Sequence, residues 1–143
     1  MHSDGQADPA ELEKFLRHEF PQAFSSGDII IEGADGTTAL LRQRYSENML
    51  RPGGTVSGAT LMALADFAMY VVLLSAIGPI GLAVTTNLNI NFLRKGPRGQ
   101  DVLAVARLLK LGKRLAVGEV NLLSGTSPDP IAHVTSTYSI PNQ

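Results

Sequence analysis

The sequence predicts an α+β protein in which one long helix is wrapped by a curved antiparallel sheet. Three observations carry that expectation. The stretch from Gly58 to Ile77, GATLMALADFAMYVVLLSAI, is apolar on nearly every face and long enough for about five helical turns. Beyond Gly78-Pro79 the hydrophobic period switches to two, the spacing of strands. The order is short helix, two strands, long helix, four strands. Runs of strands around one buried helix mean an antiparallel sheet. One six-stranded sheet covers only part of such a helix, so a second copy of the chain is expected to cover the rest.

Taken in order, Asp8-Pro9 followed by Ala10, Glu11, Leu12 and Glu13 reads as an N-cap, a proline at the first helical position and acids in the first turn. The helix runs to about Phe20, where Pro21 stops it, and Phe15, Leu16 and Phe20 form its expected inward face. Residues 28–32 and 37–44 read as two strands joined by the turn Gly33-Ala34-Asp35-Gly36. A loop rich in glycine and broken by proline follows from Tyr45 to Ser57. In the long helix Leu61, Leu64, Ala65, Ala68 and Val72 recur at i, i+3, i+4 and i+7 as one core stripe, with Met62, Met69, Tyr70, Leu73 and Leu74 on the other faces. Residues 83–93 alternate, with Val84, Thr86, Leu88, Ile90 and Phe92 on one face and Thr85, Asn87, Asn89, Asn91 and Leu93 on the other. That polar face either lines a crevice or is solvated. Residues 101–111, 115–123 and 131–140 complete the sheet. We expect one domain over residues 1–143, with residues 1–26 a tail and short helix and residues 27–143 the core.

The totals remove several function classes. At 143 residues the chain can bury a real core. A net charge of −1 argues against a nucleic-acid binder held by a broad basic face. The absence of cysteine excludes disulfides, thiolate nucleophiles and cysteine metal sites, and fits a reducing, cytoplasmic setting. The N-terminus lacks the basic-then-apolar form of a signal peptide. A membrane span over residues 59–77 is opposed by Asp66 at its middle, which costs about 2.5–3.5 kcal/mol to insert. We expect no membrane partner.

Asp66 is the only charged residue between Arg51 and Arg94. A carboxylate there is either a structural hydrogen-bond acceptor or a general base or nucleophile on a rigid scaffold. Ser57 and Gly58 open the same helix, where free N–H groups and the positive dipole end stabilise a developing oxyanion; the alternative is a plain N-cap. Asp66 lies nine residues beyond Ser57, about 13 Å along the axis. A carbonyl over the helix start therefore needs the acid of another subunit or a bent start. Arg94, Lys95, Arg98, Lys110, Lys113 and Arg114 cluster near turns as phosphate partners or as edge protection. His2, His18 and His133 have no metal-ligand spacing. Gly54-Thr55-Val56-Ser57-Gly58 is not a nucleophile elbow, and no dinucleotide fingerprint is present.

The run Ser57-Gly58-Ala59, the mid-helix acid in Leu64-Ala65-Asp66 and the strand Thr-Thr-Asn-Leu-Asn-Ile-Asn-Phe-Leu-Arg together resemble the hotdog-fold acyl-CoA thioesterases, most nearly the PaaI-like subgroup of phenylacetate pathways. The resemblance covers residues 28–140. It implies a small or aromatic acyl-CoA substrate, dimers that often pair into tetramers, an active site between subunits, and no cofactor beyond the coenzyme A of the substrate. It places the catalytic acid at Asp66, the carbonyl-polarising N–H at Gly58 and a nucleophile-positioning hydroxyl at Thr85. Arg94, Lys95, Lys113 and Arg114 are its implied contacts to the coenzyme A phosphates. Ser57 stands where the family usually has a histidine. Arg51 stands where it usually has an asparagine, the nearest being Asn48. The alternative the resemblance leaves is a hotdog protein that binds an acyl-CoA without hydrolysing it.

Overall fold

Helix start and stop signals in this chain are strong, and the computed structural model, which describes residues 8–24, 29–79 and 82–141, follows them closely. Helix α1 (Pro9–Glu19) is capped by the Asp8 carboxylate, which accepts from the Glu11 N–H, and a 3₁₀ turn follows at Pro21–Phe24. Strands β1 (Ile29–Ala34) and β2 (Thr38–Gln43) form a hairpin, and a short 3₁₀ turn at Glu47–Met49 leads toward α2 (Gly58–Ile77). Then come β3 (Val84–Phe92), β4 (Val102–Leu111), β5 (Leu115–Ser124) and β6 (Pro130–Ser139).

The six strands make one antiparallel sheet in the order β1-β2-β4-β5-β6-β3. Register shifts interrupt four of its five ladders, and such bulges increase local twist and bend the strands. Helix α2 packs against all six strands. Its core stripe is fully enclosed, as are Met69, Leu73 and Leu74. Long and apolar enough to cross a membrane by composition, it is instead the buried core helix, with two thirds of that apolar window inside the protein.

Three expectations need correction. The inward residues of α1 are Leu12 and Leu16; Phe15 is only partly covered and Phe20 is 40% exposed. Strand β1 continues through Gly33 and Ala34, so the turn is Asp35-Gly36-Thr37, held by the Asp35 carboxylate accepting from the Thr37 and Thr38 N–H groups at 2.9 and 2.8 Å. Helix α2 ends on Gly78, whose φ of 96° favours glycine. Ile80, Gly81 and Asp28 lie outside the described residues. Strand β3 does not keep strict alternation. Thr85 pairs with Tyr138 and Asn87 with Thr137, which leaves Thr86 as an extra residue. That bulge puts Thr85 on the helix-facing side with Leu88 and Ile90, while Asn87, Asn89 and Asn91 stay exposed.

Candidate active site

The β3 bulge and the β3–β6 pairing together build the surroundings of Asp66. Thr85 and Tyr138 are cross-strand neighbours, and both hydroxyls turn toward the helix. Thr85 Oγ1 donates to Asp66 Oδ1 at 2.7 Å. The Tyr138 hydroxyl reaches the same Oδ1 and the Asp66 backbone carbonyl, each at 3.0 Å. No other donor among the described residues reaches the carboxylate, so Oδ2 is left to whatever occupies the space before it. Burial pushes the Tyr138 phenol far above its usual range; the Thr85 bond opposes this and the Asp66 charge adds to it. Tyr138 therefore stays protonated and donates.

The carboxylate lines a cavity of about 570 Å³ between α2, the α1–3₁₀ segment and the β1–β2 sheet edge. Aromatic rings dominate one wall. Phe67 meets Phe20 and Phe24 edge-on at centroid distances of 6.0 and 5.4 Å, Phe20 meets Tyr70 at 6.3 Å, and Tyr70 stacks on Tyr138 at 5.9 Å. Asn48 and Thr60 also line it.

Gly58 lies elsewhere. With Arg51, Thr55, Phe92, Arg94 and Lys95 it lines a second cavity of about 450 Å³ at the start of α2. A Cβ on Gly58 would stand 3.0 Å from the Phe92 ring, so glycine keeps the first turn open there. The Ser57 hydroxyl is committed to capping, accepting from the Thr60 N–H at 3.1 Å and donating to Thr60 Oγ1 at 2.9 Å. Arg94 donates to the Pro130 carbonyl at 2.8 Å, which fixes it beside that cavity. Lys113 and Arg114 sit in the β4–β5 turn, at the end of the sheet where β3 begins. That is eight residues, about 27 Å, from the Phe92 end. Within one chain the two basic groups are thus not brought together, and neither are Asp66 and Gly58. His133 and His18 are engaged by Glu119 and Glu19.

The Thioesterase superfamily profile matches residues 53–130, which spans the second cavity, α2, β3 and the strands behind them. The chain belongs to the thioesterase superfamily. It is a thioester hydrolase of the hotdog fold, the long central helix being the filling and the antiparallel sheet the wrap. A protein of Silicibacter sp. TM1040, provisionally described as a thioesterase, is 40% identical, with 99% of each chain covered and a TM-score of 0.86. Zebrafish thioesterase superfamily member 2 shares the fold at 20% identity, covering 95% of this chain and 100% of its own, with a TM-score of 0.83. The E. coli PaaI protein of the phenylacetic acid degradation operon does so at 21%, covering 92% and 96%, with a TM-score of 0.77. Among curated proteins no relative matches this chain.

For this superfamily member, sequence reasoning missed Tyr138. The available signal was its inward position in the alternation Val134, Ser136, Tyr138, since a buried tyrosine hydroxyl needs a partner. It also missed Phe20, Phe67 and Gln43 as cavity walls. Of the residues on the other faces of α2, Tyr70 lines the cavity. Met69 is core, under Gly118, and Met62 points outward at 42% exposure.

Proposed function

We propose that the protein hydrolyses a small or aromatic acyl-CoA to the free acid and coenzyme A, with Asp66 as general base. The observation that carries this reading is the Asp66 carboxylate, held at Oδ1 by two hydroxyls and open at Oδ2 to an aromatic-walled cavity. Asp66 takes a proton from water, the hydroxide adds to the thioester carbon, and the oxyanion rests on the Gly58 N–H at a helix N-terminus. Collapse breaks the C–S bond, and the thiolate takes up a proton to leave as free coenzyme A. No group beyond the substrate is required.

The reading needs two copies of the chain, because Asp66 and Gly58 line different cavities. Strand β3 is an edge strand with only β6 beside it, flanked by exposed Leu82, Val84, Phe92 and Leu93. Two β3 strands paired antiparallel about a two-fold axis set the Thr85 end of one against the Phe92 end of the other. That arrangement brings Asp66 beside the partner's helix start. It also gathers Lys113 and Arg114 with the partner's Arg94 and Lys95, where charge recognition of the coenzyme A phosphates belongs. The exposed stripe Ala59, Met62, Ala63 lies under the same partner. Arg51 at the rim of the second cavity joins the phosphate contacts, and Asn48 faces the acyl side. A cysteine-free chain of near-neutral charge supports the reading of a cytoplasmic dimer without nucleic-acid or membrane partners.

The test is free-thiol release from aromatic and aliphatic acyl-CoAs, with wild type and Asp66→Asn side by side. The variant is expected to lose about a hundredfold to ten-thousandfold in kcat, the contribution of a positioned base, with its melting temperature held. Undiminished turnover in the variant would sink the mechanism. Coenzyme A binding without release from any thioester would convert the reading to a binding protein.

A further inference from the structure

The two edges of the sheet, β1 and β3, differ in how they are protected. At β1 the Glu13 carboxylate of α1 accepts from the Ile31 N–H at 3.5 Å, α1 packs on the strand, and Glu32 is paired with Arg42. Cover and charge of this kind keep an edge from pairing with another strand. Strand β3 has neither. It is exposed along most of its length, residues 83–93 carry no charge, and among the described residues nothing pairs with its outer side. A bare edge of this length is a template for one more strand. The reading of a site shared by two copies makes that strand a second β3.

Such a pairing must settle its register. Directly opposed residues of an antiparallel pair share a face, so a two-fold axis normal to the sheet passes through one residue of each β3. A slip of two residues keeps every side chain on its own face. With Thr86 looped out by the bulge, the helix-facing row is Thr85, Leu88, Ile90 and Phe92. Leu88 and Ile90 meet an apolar or β-branched neighbour in each of the slipped registers, so that row does not choose. The outer row does. It holds Asn87, Asn89 and Asn91. Asn89 Nδ2 donates to Asn87 Oδ1 at 3.0 Å, which leaves Asn89 a second amide hydrogen and its carbonyl oxygen among the described residues. With the axis at Asn89 every asparagine meets an asparagine: Asn89 its own copy, Asn87 the partner's Asn91. A slip one way sets Asn91 against the partner's Val84, and the other way sets Asn87 against the partner's Leu93. An amide both donates and accepts, so a pair of them is self-complementary about a two-fold axis, and an amide facing a valine or leucine is unbonded.

The same register sets Thr85, and with it Asp66, opposite the partner's Phe92, the residue that packs on Gly58. Amide pairing and completion of the site thus select one axis independently. We propose that Asn89 lies on the two-fold axis of a β3–β3 dimer and that the row Asn87, Asn89, Asn91 sets the register that delivers Asp66 to the partner's Gly58. These are positioning residues, on the face of the sheet away from the helix. One slip carries the two halves of the site about 7 Å past each other. The proposal rests on the reading of a site shared between copies.

The chain has no cysteine, so introduced cysteines report the axis directly. Opposed Cα atoms stand roughly 4.5–5.5 Å apart, within the ~4.4–6.8 Å that a disulfide spans. Under mild oxidation Asn89→Cys is expected to crosslink to its copy about tenfold faster or more than Asn87→Cys or Asn91→Cys, whose thiols stand about 14 Å apart along the strands. The double variant Asn87→Cys/Asn91→Cys should crosslink as readily as Asn89→Cys. Equal or faster crosslinking by Asn87→Cys or Asn91→Cys alone would move the axis and overturn the proposal, with the shared site left standing. No crosslinking by any of these variants would remove the β3 pairing itself. Charge swaps then test the role of the row. Asn87→Asp/Asn91→Lys sets opposite charges across the axis in this register, whereas Asn89→Asp/Asn91→Lys does so only after a slip. Both are expected to sediment as dimers, the second with kcat lower by about a hundredfold or more, since a misplacement of about 1 Å can already cost that much. Equal kcat in the two dimers would show that the row does not set the site. The crosslinking rates need no turnover, so they decide the register whether or not the Asp66 mechanism holds and whether or not the swaps dimerise.

Discussion

From Phe67 to Ser75 every residue of α2 is buried, whereas Ala59, Met62 and Ala63 in its first half are exposed and Asp66, next along the same stripe, is half-buried. Those four positions follow i, i+3, i+4 and i+7, the spacing of one helix face. Both halves are apolar, and only their cover differs. The second half is closed by the sheet on one side and by α1 with its 3₁₀ turn on another, where Phe20 and Phe24 reach Phe67. The open stripe is where a carboxylate can be held by protein on one oxygen and face a ligand with the other. A uniformly hydrophobic helix can therefore serve as core at one end and as a site at the other.

Substitutions in the two halves should separate these roles. Leu73→Ala removes a fully enclosed side chain and is expected to cost about 2–5 kcal/mol, lowering the melting temperature at every protein concentration. Met62→Ala, on the open stripe, is expected to cost little within the protomer. Its effect should instead shrink as the protein is diluted, because it acts through association and vanishes once both proteins are monomeric. Melting curves for both variants over a range of concentrations decide this. Equal, concentration-independent losses would remove the distinction between the halves.

Much of this was legible in the sequence. The bounds of α2 coincide with expectation because Ser57 and Gly78 mark its ends chemically, one accepting from the Thr60 N–H and the other adopting a positive φ. The last three strands lie within a residue of their expected limits, because strict alternation and the turns at Gly112 and Pro128 are local signals. The bulge at Thr86 was not legible: with Thr86 counted on the apolar face residues 83–93 keep their period of two, and the extra residue exists only relative to β6. Tyr138 and Gln43 were missed for the same reason. What a strand residue faces depends on sheet order, and β6 lies between β5 and β3 by a pairing between residues about fifty positions apart.

The seam between the halves is Tyr138, which stacks on buried Tyr70 and bonds Asp66. Tyr138→Phe keeps the ring and removes one donor to the carboxylate. A hydrogen bond to a charged group is worth about 1.5–3 kcal/mol, so kcat is expected to fall by roughly tenfold to a hundredfold with KM little changed. A purely structural role for Tyr138 would show as a lower melting temperature with kcat retained in the folded fraction.

The smallest effect, and the one that isolates burial at this seam, is alkaline. Tyr138 is held above its ordinary value of 10.0 by desolvation, so the unfolded chain loses that proton first as pH rises. A group with a raised folded pKa contributes stability that is complete below its unfolded pKa and is lost above it. Each pH unit beyond 10 should therefore cost wild type about 1.4 kcal/mol through this one residue, with Tyr70 adding in the same direction. Tyr138→Phe should have a shallower alkaline limb in denaturant titrations between about pH 9 and 11. Parallel limbs in the two proteins would mean that the phenol is solvated, and that Asp66 is held by Thr85 alone.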